Sequence, residues 1–177
     1  RIIVNTLSFS VICALTFGVD LTTEAKVRES LGRFQKDNKI LHTLFEIGFA
    51  FPNCKQGMTA NLVAIDPISD FGLSANASHN EVLNKGVELG LSKCPSDTPI
   101  QFMLAAPNVP PGDYIFAVDA VCPKTDGGNA HVLTAFCFND GVQLLDSCIY
   151  DSGDQPRRDN RKYLFMQEWN LAKPLIV

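Results

Sequence analysis

The chain has 177 residues, of which 46% are apolar and 19% charged, and its formal net charge is −4. That is the size of one domain with a core of its own, and the composition excludes an intrinsically disordered chain. No long basic run appears, which argues against a protein built to grip phosphate backbones, so no nucleic-acid partner is expected.

From Ile2 to Val19 no side chain is charged, and Arg1 stands ahead of the stretch as in a signal segment. Asn5, Thr6, Ser8, Ser10 and Thr16 dilute it below a membrane span, and Thr6 to Ile12 alternates polar with apolar as a half-buried strand does. We expect a buried strand or helix within residues 1–19 of a single 1–177 domain. A signal or anchor remnant is the alternative. Thr22-Thr23-Glu24 reads as a helix start, with Val27, Leu31 and Phe34 following at helical spacing until Asp37-Asn38. Leu41, Leu44, Phe45 and Phe49 suggest a second helix, ended by Pro52-Asn53. A third is expected from Cys54 to Ile65, with Met58, Leu62 and Ile65 on one face and Asp66-Pro67 as the stop.

Residues 68–79 read as a loop, Glu81 to Leu89 as a short helix stopped by Gly90, and Cys94 to Pro99 as another loop. Four β-rich runs follow: Ile100 to Ala105, Tyr114 to Cys122, His131 to Phe138 and Val142 to Tyr150, with Tyr163 to Phe165 as a last short strand. Asn139-Asp140-Gly141 marks a hairpin, Asp-Gly supplying the positive φ angles of a tight turn. N-terminal helices followed by a C-terminal antiparallel β-sheet describe an α+β fold.

Six cysteines stand at 13, 54, 94, 122, 137 and 148, and no pair has the two-residue spacing of a zinc knuckle or a redox motif. No metal is expected. An even count permits three disulfides, though a domain of this size needs no staples. Asn76-Ala77-Ser78 fits the glycosylation acceptor pattern, which bears only on a secreted chain.

Three residues carry the chemical expectation. Cys54 follows Asn53, a good N-cap, and so falls in a first helical turn where the macrodipole favours thiolate, the nucleophilic form. His131 opens an otherwise apolar strand. Asp146 lies in the apolar strand that returns from the hairpin, where an unpaired carboxylate is costly and an imidazole is its natural partner. Register decides whether the two meet. A four-residue connection puts them on one face two positions apart, a two-residue connection separates them further, and a three-residue connection sends them to opposite faces. Asp119 is the alternative partner for His131. Cys148 shares the facing of Asp146 as a core thiol or bridge partner, and Cys94 reads as structural. Arg157-Arg158 with Arg161-Lys162 forms a basic cluster, more often a solvated loop than a contact for an acidic partner. Trp169 and the phenylalanines read as core.

The order Cys54, His131, Asp146, with Asn53-Cys54, His131-Val132-Leu133, Asn139-Asp140-Gly141 and Leu144-Leu145-Asp146, resembles the papain-like and transglutaminase-like cysteine enzyme superfamily over roughly residues 50–150. It looks especially like bacterial papain-fold toxin and effector domains, and viral leader-type proteases also place Asn directly before the Cys. The resemblance implies a papain-like α+β fold, a secreted or host-delivered chain and a Cys-His-Asp triad. It further implies thiol-dependent acyl transfer on a protein or peptide amide, by a cysteine peptidase, glutamine deamidase or transglutaminase without a cofactor. Two departures stand out. The gap of 77 residues (131 − 54) is longer than in compact transglutaminase-like cores. Gly48 to Phe51 also occupy the region where papain-type enzymes carry an oxyanion-hole glutamine. The donors would then be the Cys54 N–H with the side chain of Asn53 or Gln56. The alternatives are a secreted binding or inhibitor domain with all six cysteines paired, and an inactive papain-like pseudoenzyme. The pattern does not decide membrane contact or oligomeric state.

Overall fold

A computed structural model describes residues 9–32, 57–120, 130–149 and 161–167. Seven strands and three helices lie in these residues: β1 Val11–Thr16, α1 Glu24–Gly32, β2 Thr59–Ile65, α2 His79–Glu88, β3 Leu91–Ser92, α3 Thr98–Ala105, β4 Gly112–Phe116, β5 Ala130–Phe138, β6 Gly141–Ile149 and β7 Lys162–Gln167. The sheet runs β1-β2-β7-β4-β5-β6, with β3 also paired to β7. Helix α3 touches β1 at one end of that order and β5 and β6 at the other, so the sheet curls around it. The class is α+β as expected. Its layout is not helices followed by a sheet, because β1 and β2 come from the first half of the chain and α3 from the second.

β7 is the centre. Tyr163, Leu164, Phe165 and Met166 are fully buried, the continuous apolar run of a strand covered on both faces. It pairs antiparallel with β2 on one side, Val63 opposite Phe165. On the other side two short strands share its edge. β4 runs parallel to its first half, Tyr114 opposite Lys162 and Phe116 opposite Leu164. β3 runs antiparallel to its end, Leu91 opposite Gln167. The parallel β4–β7 pair departs from the all-antiparallel sheet expected. Beyond Phe116 the exchange is stitched by Ala117 N–H to Leu164 O (2.9 Å) and Cys94 N–H to Ala117 O (2.8 Å).

The expected helix from Cys54 to Ile65 is overturned over its described part. Residues 59–65 form β2, paired with β1 on one side and β7 on the other. Ala60, Leu62, Val63 and Ile65 are all buried. A strand covered on both faces loses its two-residue alternation, and Met58, Leu62 and Ile65 then mimic helical spacing. The opposite error occurs at 100–105, read as a strand and found inside α3. That helix is buried almost all round, from Thr98 to Met103, so no polar face marks its period. Pro99 in its first turn, a position that needs no amide hydrogen, was the available signal. The chain leaves α3 through Ala106 in the left-handed region (φ 43°).

The first helix begins as expected: Thr23 Oγ1 accepts from Lys26 N–H (3.2 Å), and Asp20 accepts from Thr22 and from the Lys26 ammonium. Among the described residues of the first 19 the element is β1, of which Leu15 is buried and Val11 exposed, and Phe17 enters the core just after it. Helix α2 starts two residues before the expected Glu81. Ser78 and Glu81 close a capping box, Glu81 N–H to Ser78 Oγ at 3.1 Å and Ser78 N–H to Glu81 Oε2 at 3.3 Å. Its buried face is His79, Val82, Leu83 and Gly86, and Gly86 lies close against one edge of the Phe165 ring. Among the described residues no helix is long and apolar enough to cross a membrane.

Candidate functional site

His131 is the second residue of β5 and is half-buried. The hairpin connection between β5 and β6 is the pair Asn139-Asp140, with Gly141 opposite Phe138 as the first rung of β6. This is one residue earlier than a turn centred on Asp-Gly. The shift changes the register in favour of the site: His131 pairs with Cys148 and Leu133 with Asp146, so the two residues share parity and lie two rungs apart (148 − 146). Diagonal positions of this kind are typically about 7–8 Å apart between Cα atoms. A two-residue connection therefore gives the spacing expected only of a four-residue one.

Cys54, Asn53 and Gln56 lie outside the described residues, as does Trp169. Asp119 is not the partner of His131. Its carboxylate is exposed and accepts from Lys93 Nζ at 2.9 Å in a surface ion pair. Cys13, Cys94 and Cys137 are free thiols, so the three-disulfide framework considered as an alternative is not formed. Burial pushes the Cys13 and Cys137 thiols up to about 11 and Cys94 up to about 12, where the neutral S–H is held. Cys94 donates to Leu164 O (3.3 Å) and packs in the core, as its structural reading required. Thiols raised this far are protonated at neutral pH.

His79, placed by its polar neighbours in a loop, is fully buried in the first turn of α2. Its Nε2 lies 2.8 Å from Val118 O and its Nδ1 2.9 Å from Tyr163 Oη. A carbonyl only accepts, so Nε2 carries the proton and Nδ1 accepts from the tyrosine. This histidine bolts α2 to β7 and to the segment after β4. The signal that could have found it is Ser78-x-x-Glu81, which puts residue 79 inside the helix.

Among the described residues no group of three or more His, Cys, Asp or Glu side chains could hold a metal ion. A cavity of about 300 Å³ opens elsewhere, at the starts of the adjacent parallel strands β4 and β7, lined by Pro110, Pro111, Gly112, Asp113, Tyr114, Arg161 and Lys162. Comparison with known proteins finds no matching family model, no matching curated protein and no matching solved structure.

Proposed function

We propose that the chain is a papain-like cysteine enzyme performing acyl transfer on a protein or peptide amide, with Cys54 as nucleophile, His131 as its base and Asp146 orienting the imidazole. In the reaction, the Cys54 thiolate attacks the amide carbonyl carbon and the C–N bond breaks. The His131 imidazolium delivers its proton to the departing nitrogen. Water, deprotonated by His131, then cleaves the thioester, releasing a carboxylate and restoring the thiol. Ammonia leaves in glutamine deamidation and a peptide amine in peptidolysis; an amine in place of water makes the reaction a transglutamination. The step needs no cofactor.

The β5–β6 register supports this reading, since it sets His131 and Asp146 on one parity two rungs apart. The three free thiols among the described residues add to it by elimination: their raised pKa values leave Cys54, Cys122 and Cys148 to carry thiol chemistry. They also give the test a quiet background. At pH 6 a thiol of pKa about 11 is thiolate in roughly one part in 10⁵, whereas one activated by an imidazole is largely ionised. Chloroacetamide at pH 6, followed by peptide mapping, should alkylate Cys54 at least about 100-fold faster than Cys13, Cys94 or Cys137. His131→Ala should abolish that advantage and Asp146→Ala reduce it about tenfold or more. Labelling of Cys54 at the rate of an ordinary thiol, or unchanged in His131→Ala, rejects the proposal. Ammonia release from a glutamine peptide, against new amino termini from a casein digest, then separates deamidase from peptidase.

A further inference from the structure

The turn that leads into α2 carries an asparagine whose side chain the fold does not use. Ala77 N–H donates to Ser74 O at 3.0 Å, closing a four-residue turn with Asn76 in its third position. Asn76 N–H donates to Ser74 Oγ at 3.1 Å. Both bonds are made by backbone groups of Asn76 and Ala77, so neither selects asparagine. Asparagine is favoured in turns because it tolerates a left-handed backbone or bonds the chain through its side chain. Neither reason applies at this turn. Among the described residues Ala106 is the one non-glycine with positive φ, and the Asn76 side-chain amide makes no hydrogen bond. Asn76 is exposed, while the residues after it turn inward: Ala77 is 2% exposed, Ser78 4% and His79 0%.

Asn76 is also the one asparagine of the chain with Ser or Thr two residues on and no proline between. That pattern is the acceptor of N-linked oligosaccharides. An amide nitrogen is a weak nucleophile, and the pattern requires the hydroxyl two residues on because the transferase holds the acceptor by it. In the folded chain this hydroxyl is already committed. Ser78 Oγ accepts from Glu81 N–H at 3.1 Å, and Ser78 N–H donates to Glu81 Oε2 at 3.3 Å. The two halves of the acceptor therefore stand in opposite states, the amide in solvent and the hydroxyl buried in the capping box. We infer that Asn76 carries an N-linked oligosaccharide, and that its transfer occurs only before Ser78 and Glu81 close the box at the start of α2. The donor is a lipid-linked oligosaccharyl pyrophosphate. Asn76 Nδ2 bonds to the anomeric carbon and loses one proton, while the bond from that carbon to the pyrophosphate oxygen breaks and its electron pair leaves with the lipid pyrophosphate. The finished fold accommodates the sugar, since the turn is held by backbone groups and Ser74 alone. The inference does not depend on the thiol chemistry proposed above.

The test translates the full chain behind a cleavable leader in the presence of endoplasmic-reticulum microsomes. The translocated chain should show a gel shift that peptide N-glycosidase reverses, with ¹⁸O from labelled water incorporated at Asn76. Asn76→Gln should abolish the shift and leave the melting temperature of the purified chain unchanged. Ser78→Thr keeps both the hydroxyl and the cap, and should retain the shift. The purified, already folded chain, offered to detergent-solubilised microsomes, should be modified at least about tenfold more slowly than the nascent chain, because Ser78 is released only by local opening of the helix start. Glu81→Ala leaves the acceptor pattern intact and removes half of the box, so it should raise the rate of the folded chain several-fold. A chain that is translocated, with its leader removed, and stays unshifted overturns the inference. So does a shift that survives Asn76→Gln. Equal rates for folded and nascent chains, or a folded-chain rate indifferent to Glu81→Ala, overturn the order of events.

Discussion

Replacing Gly86 by alanine tests the packing of α2 on the sheet. A Cβ at this position would lie 2.5 Å from Phe165 Cζ and 3.0 Å from Cδ1, and closer still to Cε1. Such contacts require the ring to move. Phe165 is fully buried, edge-on to Phe71 (centroids 5.7 Å apart, 67° between planes) and 6.3 Å from the Tyr163 ring. Its backbone is fixed opposite Val63 in the middle of the sheet. Two effects compete. Glycine to alanine inside a helix ordinarily stabilises by about 0.5–1 kcal/mol through chain entropy and propensity. Forcing a methyl into a close-packed site costs about 1–3 kcal/mol, and the upper part of that range applies where the displaced group is a confined ring. The net expectation is a loss of about 1–2 kcal/mol. Urea denaturation followed by helical circular dichroism should show a lower midpoint with an unchanged slope. Phe165→Leu removes the ring edge, so in a double-mutant cycle the two substitutions should couple favourably by about 1 kcal/mol or more. A midpoint raised by Gly86→Ala alone, or additive substitutions, would refute the close approach of α2 to β7.

Other expectations follow from the core. His79→Leu deprives Val118 O and Tyr163 Oη of their imidazole partner and should cost about 2–5 kcal/mol, with Tyr163→Phe costing about 1–2 in the same denaturation assay; a loss under 1 kcal/mol for His79→Leu would contradict the bolt. Thr98 Oγ1 is buried with no hydrogen-bond partner among the described residues, so Thr98→Val should be neutral or stabilise by up to about 1 kcal/mol. A loss above 1 kcal/mol would show that the hydroxyl serves a bound molecule. Cys94, pushed up to about 12, keeps its proton in the folded chain while an unfolded thiol gives it up near pH 8.5–9. Its contribution is therefore complete below that range and is lost as pH rises towards 12, by at most about 1.4 kcal/mol per pH unit. Urea midpoints between pH 8.5 and 10.5 should fall less steeply in Cys94→Ala than in the parent, and equal slopes would reject the assignment.

Local signals that do not depend on the rest of the fold were legible in the sequence. Asn139-Asp140-Gly141 between two β-branched and aromatic runs marked the β5–β6 hairpin, and Thr22-Thr23-Glu24 marked the start of α1. Elements that the fold buries on every side were not. β2 and α3 exchanged identities because a central strand and an enclosed helix both read as short apolar runs, and only their neighbours distinguish them. The shared parity of His131 and Asp146 was legible only as a condition on register, since the position of a turn within Asn-Asp-Gly is settled by the ladder and not by its composition. The alternative pairing with Asp119 could not be dismissed from sequence, because its Lys93 partner is 26 residues away. The pocket at Pro110–Tyr114 left no motif. Its cations come from a different strand, and the basic cluster around Arg161 looked like any solvated loop.

The centrality of β7 governs how the fold can be assembled. Its partners β2, β3 and β4 all precede it in the chain, and without it the β1–β2 ribbon and the β4–β5–β6 meander share no edge. Closing the sheet must therefore await a strand about 100 residues downstream of its β2 partner, a long loop to close before any central rung rewards it. Until Lys162–Gln167 is inserted, the inner edges of both halves stay open to strands of other chains, so this late insertion separates folding from misassembly.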